Sequence, residues 1–564
     1  MLALLALLGS LGIAQAADEQ DLQFDLEGYY RLRGHMFKDL FELPVSGPQG
    51  GRPGSVGSYM TQRLRLQPVV KYEKLAKFTM QTDVLDDVVW GDNAMLSSTP
   101  LFAGQPSMTD IEGRETADFQ LNRAWVEFNI PVGLIRAGRQ PSHWGMGLLA
   151  NHGDGFDDMF GENHGGSTYD RLIFATKPVA IAQTVAGVQD SGTPLFLVFG
   201  VDRLVEDPRD QYYGYSCPEF VDGPWVDGTH DQYDSRCDIV DIKGAPGRDG
   251  IADLTHGYTE EQSGEDRPGD WWADGRDDVY ELIYALIYKG EDRQMLGSTG
   301  DLIAGVYSVN RKQLETDSDV WIVDGYLKFR LRGLLLETEV LHIGGKTNAI
   351  AIPGSYDPAS GGNPLAKEAD IWGYVARAGY EQPAYSVVFE TGYASGDNDV
   401  TDKDFTGRAI HPDFNVGLLF YDEIMSRVTA ATWGDSASGL WSKGGVYNSR
   451  YIFPSLTLKP MNNWNIHLAY LRAWPDRPDG SNILCKKGDK AGGKKLSCGD
   501  YQAKDDHLAW EVDLGVQHRF HGEHVLLALE AAYAETSDRI PLERAGLNPK
   551  GEFLTVQSRI AFEF

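Results

Sequence analysis

Cysteine is scarce in this 564-residue chain, four in all, and none sits in a C-x-x-C or C-x-x-C-H spacing. That excludes a thioredoxin-like redox motif and covalent haem attachment. No H-E-x-x-H or G-x-S-x-G occurs, so neither a zinc-protease helix nor a serine-hydrolase elbow can be placed. No enzyme is expected. Beyond the first seventeen residues no apolar run approaches the roughly twenty that a membrane helix needs, and mean hydropathy is −0.33. A helical membrane protein is excluded. Bases are outnumbered, 51 Lys and Arg against 82 Asp and Glu, for a formal net charge of −31. Bulk attraction to nucleic acid is excluded with them.

What the chain does have is a period of two. From Glu552 to Phe564, the residues Leu554, Val556, Ile560, Phe562 and Phe564 alternate with Phe553, Thr555, Gln557, Arg559, Ala561 and Glu563. Such a segment is a strand with one greasy and one wet side. In water an edge strand ending on a bare Phe invites aggregation. A closed membrane barrel instead gives it lipid on one face, water on the other and no edge. The segment from Leu22 to Phe37 repeats the pattern, with Phe24, Leu26, Tyr30, Leu32 and Met36 opposing Gln23, Asp25, Glu27, Arg31, Arg33 and His35. Ahead of it, Met1 to Ala16 is apolar and ends in Ala14-Gln15-Ala16, which reads as a signal peptide cleaved before Ala17, although it lacks a basic start.

Eighteen such segments are expected: 22–37, 59–72, 75–85, 117–130, 132–140, 168–178, 193–203, 277–290, 300–311, 318–331, 333–344, 370–381, 384–395, 449–460, 462–474, 507–521, 523–535 and 551–564. Every second connection is short and the alternate ones are long, as periplasmic turns and extracellular loops are. The fold class is therefore all-β. Residues 17–564 form one transmembrane antiparallel β-barrel of about 18 strands in the outer membrane of a Gram-negative bacterium. Segment 132–140 alternates poorly, and 179–192 reads as a wide turn or an extra strand piece, which leaves 16 strands as the alternative.

Charge collects in the long loops. The loop at about 205–276 carries far more acids than bases and holds Cys217 and Cys237; Cys485 and Cys498 form a second close pair. An exported chain with four cysteines suggests two local disulfides. Asp238, Asp241, Asp249 and Asp253 are spaced with glycines as in calcium loops, so Ca2+ is the one cofactor to consider. A solvated acidic loop is the other reading. A glycine-rich loop with His143, His152, His164, Asp154, Asp157 and Asp158 reads as polar rather than metal-binding.

Three sets of stretches resemble the alginate-export family of outer-membrane porins and related proteobacterial barrels. They are Tyr30-Arg31-Leu32-Arg33 with Arg63-Leu64-Arg65; Ile135-Arg136-Ala137-Gly138-Arg139-Gln140 with Trp144-Gly145-Met146-Gly147-Leu148-Leu149; and Glu390-Thr391-Gly392-Tyr393-Ala394-Ser395-Gly396-Asp397 with Asp413-Phe414-Asn415-Val416-Gly417-Leu418-Leu419-Phe420. The resemblance implies a monomeric eighteen-stranded barrel whose Arg-rich lumen passes an anionic polysaccharide.

On the polar strand faces, Arg31, Arg33, Arg63, Arg65, Arg123, Lys328, Arg330, Arg377, Arg519 and Arg559 are the expected solute path, since guanidinium groups grip carboxylate or phosphate bidentately. Acids on the same faces are nearly as many, which makes lumen salt bridging the competing reading. The expectation is a porin-like channel for passive passage of a hydrophilic, anionic solute such as an oligo- or polysaccharide. A structural barrel anchoring an envelope complex through its loops is the alternative. Expected partners are outer-membrane lipid and lipopolysaccharide, the solute and, in the alternative, other envelope proteins.

Overall fold

The computed structural model describes residues 22–40, 56–90, 120–155, 159–163, 166–189, 191–204, 279–313, 318–347, 367–398, 403–433, 442–477, 484, 505–520 and 524–564. The expected signal peptide, the acidic loop at 205–276 with its four aspartates, and all four cysteines lie outside these residues.

Eighteen wall strands run in chain order: β1 Leu22–Lys38, β2 Val56–Tyr72, β3 Ala76–Trp90, β4 Gln120–Ile130, β5 Gly133–Pro141, β6 Thr168–Thr176, β7 Leu195–Leu204, β8 Tyr280–Met295 and β9 Ser298–Gln313. They continue as β10 Ser318–Leu331, β11 Leu334–Thr347, β12 Lys367–Gln382, β13 Tyr385–Ala394, β14 Ser449–Leu458, β15 Trp464–Pro475, β16 Ala509–Phe520, β17 Val525–Thr536 and β18 Glu552–Glu563. Each pairs antiparallel with its neighbours. The sheet closes where Tyr29 meets Glu563 and Lys38 meets Leu554, on β1 and β18. Closure leaves the wall no free strand edge within lipid. A two-residue bridge, Asp404–Phe405, adds in parallel to β12 and belongs to a loop.

The sixteen-strand alternative fails, because β5 is laddered on both sides despite its weak alternation. The stretch at 179–192 is neither strand nor plain turn but begins as a helix, Pro178–Val185. Proline at its first turn and the alanines Ala180 and Ala182 favour that choice. The connection expected across 291–299 is only Leu296-Gly297. The ladder continues through Glu291 to Gln294, past a bulge between Gly290 and Arg293, although apolar alternation has stopped. Hydrogen bonding extends the hairpin beyond the lipid boundary, where nothing greasy is required.

Outward faces are apolar and exposed, among them Phe24, Leu286, Val306, Leu468, Leu514, Leu529 and Ile560. On β15 the outward Trp464 and Trp474 stand ten residues apart, about 25 Å along the membrane normal after strand tilt, which matches two aromatic girdles. This is a barrel of the bacterial outer membrane. Its buried core is not under the sheet but inside it. The described parts of the two loops between β5 and β6 and between β13 and β14 enter the lumen, and Leu148, Phe160, Phe414, Leu418, Leu419 and Phe420 pack with the inward wall residues Val375, Phe453, Leu471 and Phe553. Each such side chain contributes about 1.5–3 kcal/mol on burial.

Candidate functional site: the lumen and its two inserted loops

Strand alternation aims inward every second residue, and all ten cations expected to line the path lie on that face. The structure sorts them into two groups. On β1, β2, β4 and β18 the guanidiniums are buried, Arg123 to 1% exposure and Arg559 to 2%. Arg31 and Arg33 both ion-pair with Glu162. Arg65 grips Asp83 with two bonds of 2.7 and 2.8 Å and reaches Asp154 at 2.9 Å. Arg123 donates to the carbonyl of His152 at 2.7 Å and lies 3.4 Å from Asp154, while Arg559 pairs with Glu530 at 3.2 Å. Glu162 and Asp154 belong to the first inserted loop. Its carboxylates occupy the arginines as a bound anion would.

The second group is on β10–β14. Here Lys328 lies 3.6 Å and Arg377 3.7 Å from Glu337, Arg377 bonds Glu390 at 2.5 Å, and Arg330 reaches Glu381 at 3.0 Å. Tyr326 and Tyr451 donate to Glu337 and Glu390, each at 2.6 Å. The four basic and acidic pairs border a cavity of about 460 Å³, with Lys459, Ser386, Ser455, Thr457, Asn465 and His467 also on its wall. Phe160 and Gly417 of the two inserted loops contribute to its lining. Arg519 pairs with Glu563 at 3.1 Å near the opposite end of its strand from the long loop.

Wall carboxylates hold both loops in place. Glu339 on β11 accepts the backbone N–H groups of Met146 and, at 3.1 Å, Leu148, while Trp144 donates its indole N–H to Asp324 on β10 at 3.0 Å. Glu511 on β16 accepts three N–H groups, from Leu418, Leu419 and Phe420, at 2.7, 2.9 and 2.7 Å. Gly417 turns the chain at φ +76°, and a Cβ there would meet Glu511 at 2.8 Å. Glycine is therefore required both by conformation and by close approach. The stretches Trp144–Leu149 and Asn415–Phe420 share a Gly-Leu-Leu, and each presents its amides to a buried acid. Glu339 and Glu511 are among the acids on the polar strand faces, but strand alternation does not reveal which loops they receive.

The loops also lock to each other. His411 donates its backbone N–H to Leu148 at 2.9 Å, Gly166 donates to the Asp413 carboxylate at 2.7 Å, and Asn151 donates to the Asp413 carbonyl at 3.1 Å. Three histidines sit at this junction in neutral form. Nδ1 of His152 accepts the Asp154 N–H at 2.9 Å, and Nδ1 of His411 accepts the Asp413 N–H at 3.1 Å. Desolvation pushes both rings below the usual imidazole range, and it takes His143, stacked on His152 at 4.4 Å, down to about 4. Among the described residues no group of His, Cys, Asp and Glu is arranged to hold a metal ion.

No family model and no curated protein matches the chain, so the resemblance to the alginate-export family has no support beyond its short motifs. Solved structures do align along nearly the whole length. OpdQ of Pseudomonas aeruginosa aligns at 9% identity and a TM-score of 0.43, covering 96% of this chain and 98% of that one. OccK9 (OpdG) of the same organism aligns at 13% and 0.44, and a BenF-like porin from Pseudomonas fluorescens Pf-5 at 9% and 0.42, with the same coverage.

Proposed function

We propose that the protein is an outer-membrane channel for passive passage of a small hydrophilic anion, whose lumen is narrowed by the two inserted loops. The carrying observation is the cavity beside β10–β14, where Lys328, Arg330, Arg377 and Lys459 face Glu337, Glu381 and Glu390 among hydroxyl and amide groups. Four cations against three carboxylates favour an anion, and fixed charges at a constriction select ions. A volume of about 460 Å³ suits one small-molecule ligand and speaks for a small organic anion over a polymer. Glu162 and Asp154 act as internal competitors, so an arriving carboxylate displaces them from the buried arginines and frees the loop.

Planar-bilayer recording under a salt gradient tests this reading. The wild type is expected to pass current with anion preference, and Lys328→Gln with Arg330→Gln to shift the reversal potential toward cations. A protein that stays silent both intact and with its second loop released by Glu511→Ala would overturn it. That outcome would favour the second reading, an anchoring barrel, which the densely packed loops inside the lumen make intelligible.

A further inference from the structure

The outward surface at the extracellular end carries charges that the channel does not use. Most are matched in place: Arg139 with Asp170 at 2.9 Å, Lys312 with Asp319 at 2.9 Å, His342 with Asp370 at 3.0 Å. The β14–β15 sector differs. Arg450 and Arg472 share an outward face, opposite Trp474 and Ile452 respectively, and neither has a carboxylate in ion-pair range among the described residues. Arg472 lies over the Trp474 ring at 5.5 Å, and its Nε is buried without a hydrogen-bond partner. Trp510 stands beside it on β16, packed on Tyr533. The nearest acids are committed or displaced. Asp476 takes the Gly396 N–H at 2.9 Å and lies 3.5 Å from Arg477, and Glu535 is two strands from Arg472, across Trp510.

The register makes Arg450 and Arg472 diagonal cross-strand neighbours, roughly 7–8 Å apart at Cα. Both stand at the upper aromatic girdle, the level of lipid headgroups in the outer leaflet. An uncompensated cation at that depth requires an anion from the membrane itself. Two guanidiniums flanked by indoles offer planar, bidentate donors for phosphate oxygens and apolar faces for the adjoining acyl chains.

We infer that Arg450 and Arg472, framed by Trp474 and Trp510, bind a phosphorylated lipid of the outer leaflet, of the lipid A class. This site is separate from the lumen, so its test does not depend on whether the barrel conducts. Protein in nonionic detergent is titrated with lipid A and with the same lipid stripped of phosphate, and the bound lipid is read by native mass spectrometry. Arg450→Gln/Arg472→Gln is expected to weaken lipid A binding at least tenfold. The stripped lipid should bind wild type as poorly as lipid A binds that variant. Inorganic pyrophosphate should not compete, and Arg139→Gln should behave as wild type. Heat-modifiable gel mobility verifies that each variant is folded. Equal lipid A affinity for folded wild type and double variant overturns the inference, and effective competition by pyrophosphate overturns the assignment to lipid.

Discussion

Arginines on β1, β2, β4 and β18 and cations on β10–β14 face the same lumen, yet they do different things. The first group is buried and bonded to carboxylates of an inserted loop, as Arg31 and Arg33 are to Glu162. The second keeps its pairs at the cavity of about 460 Å³, with Arg330 and Lys328 still partly exposed beside Glu381 and Glu337. The composition of the two walls is alike; what differs is which loop lies against them. Charge buried with its partner fixes a loop, and charge left at a cavity is available to a solute.

The largest effect should come from Glu511→Ala. It strands three buried N–H groups at Leu418, Leu419 and Phe420, and an orphaned buried donor costs about 1–3 kcal/mol. The second loop is expected to leave the lumen, raising both protease cleavage within 410–433 and the bilayer current. Unchanged cleavage would mean that packing of Leu418 to Phe420 alone holds the loop, and the contrast between the walls would lose its physical basis.

Glu162→Gln comes next. Removing one side of a buried pair costs about 3–5 kcal/mol when the remaining charge stays uncompensated. The loss here should fall near the lower limit, because Arg33 retains Gln557. With two guanidiniums released, anion preference in bilayers should increase. If it decreases, those arginines lie off the solute's route and only β10–β14 carry it.

Acidification gives a smaller, graded effect. The folded-state values of His143, His152 and His411 lie below the ordinary imidazole value of 6.5. Neutral rings therefore favour the docked loops fully above pH about 6.5, and that contribution is lost as pH falls toward about 4. Protonation also places a hydrogen on each Nδ1 that now accepts the N–H of Asp154 or Asp413. Arg123 near His152 and Arg408 near His411 oppose the new charge, while Asp154 and Asp413 favour it. Current is expected to rise between pH 6.5 and 4 in the wild type. The rise should be smaller in His152→Asn/His411→Asn, whose amide oxygens accept the same N–H groups without titrating, leaving only His143 to respond. Equal pH profiles would remove the histidines from the junction's control.

The wall was legible in the sequence because a barrel writes itself in local terms. Leu554 to Phe564 alternates, Arg332-Gly333 turns, and lipid demands one greasy face per strand. Most of the eighteen strands follow from such signs, as does the inward aim of Arg123 and Arg559, whereas β5 alternates poorly and is secured by its ladders on both sides. The plug was not legible. Glu339 and Met146 lie 193 residues apart, and no period connects a wall acid to the loop amides it receives. The partial hint was the repeated Gly-Leu-Leu at 147–149 and 417–419, too apolar for solvated loops of an acidic chain. The hairpin through Glu291–Gln294 was missed for the opposite reason, since its ladder continues where the hydrophobic signal has ended.

Arg330→Gln should have the smallest effect on stability and thereby defines the contrast most sharply. Its pair with Glu381 leaves both side chains more than a third exposed, and exposed pairs contribute about 0–1 kcal/mol. Unfolding in urea should therefore hardly move, whereas Arg559→Gln, which leaves Glu530 buried beside the Arg33 guanidinium, should move it by well over 1 kcal/mol. The ordering should invert for transport. Arg330 borders the cavity and Arg559 does not, so only the first substitution should weaken block by a small carboxylate added to the bath. If both substitutions lowered stability alike, the two walls would be equally dry, and a cavity that never meets water could not serve a solute.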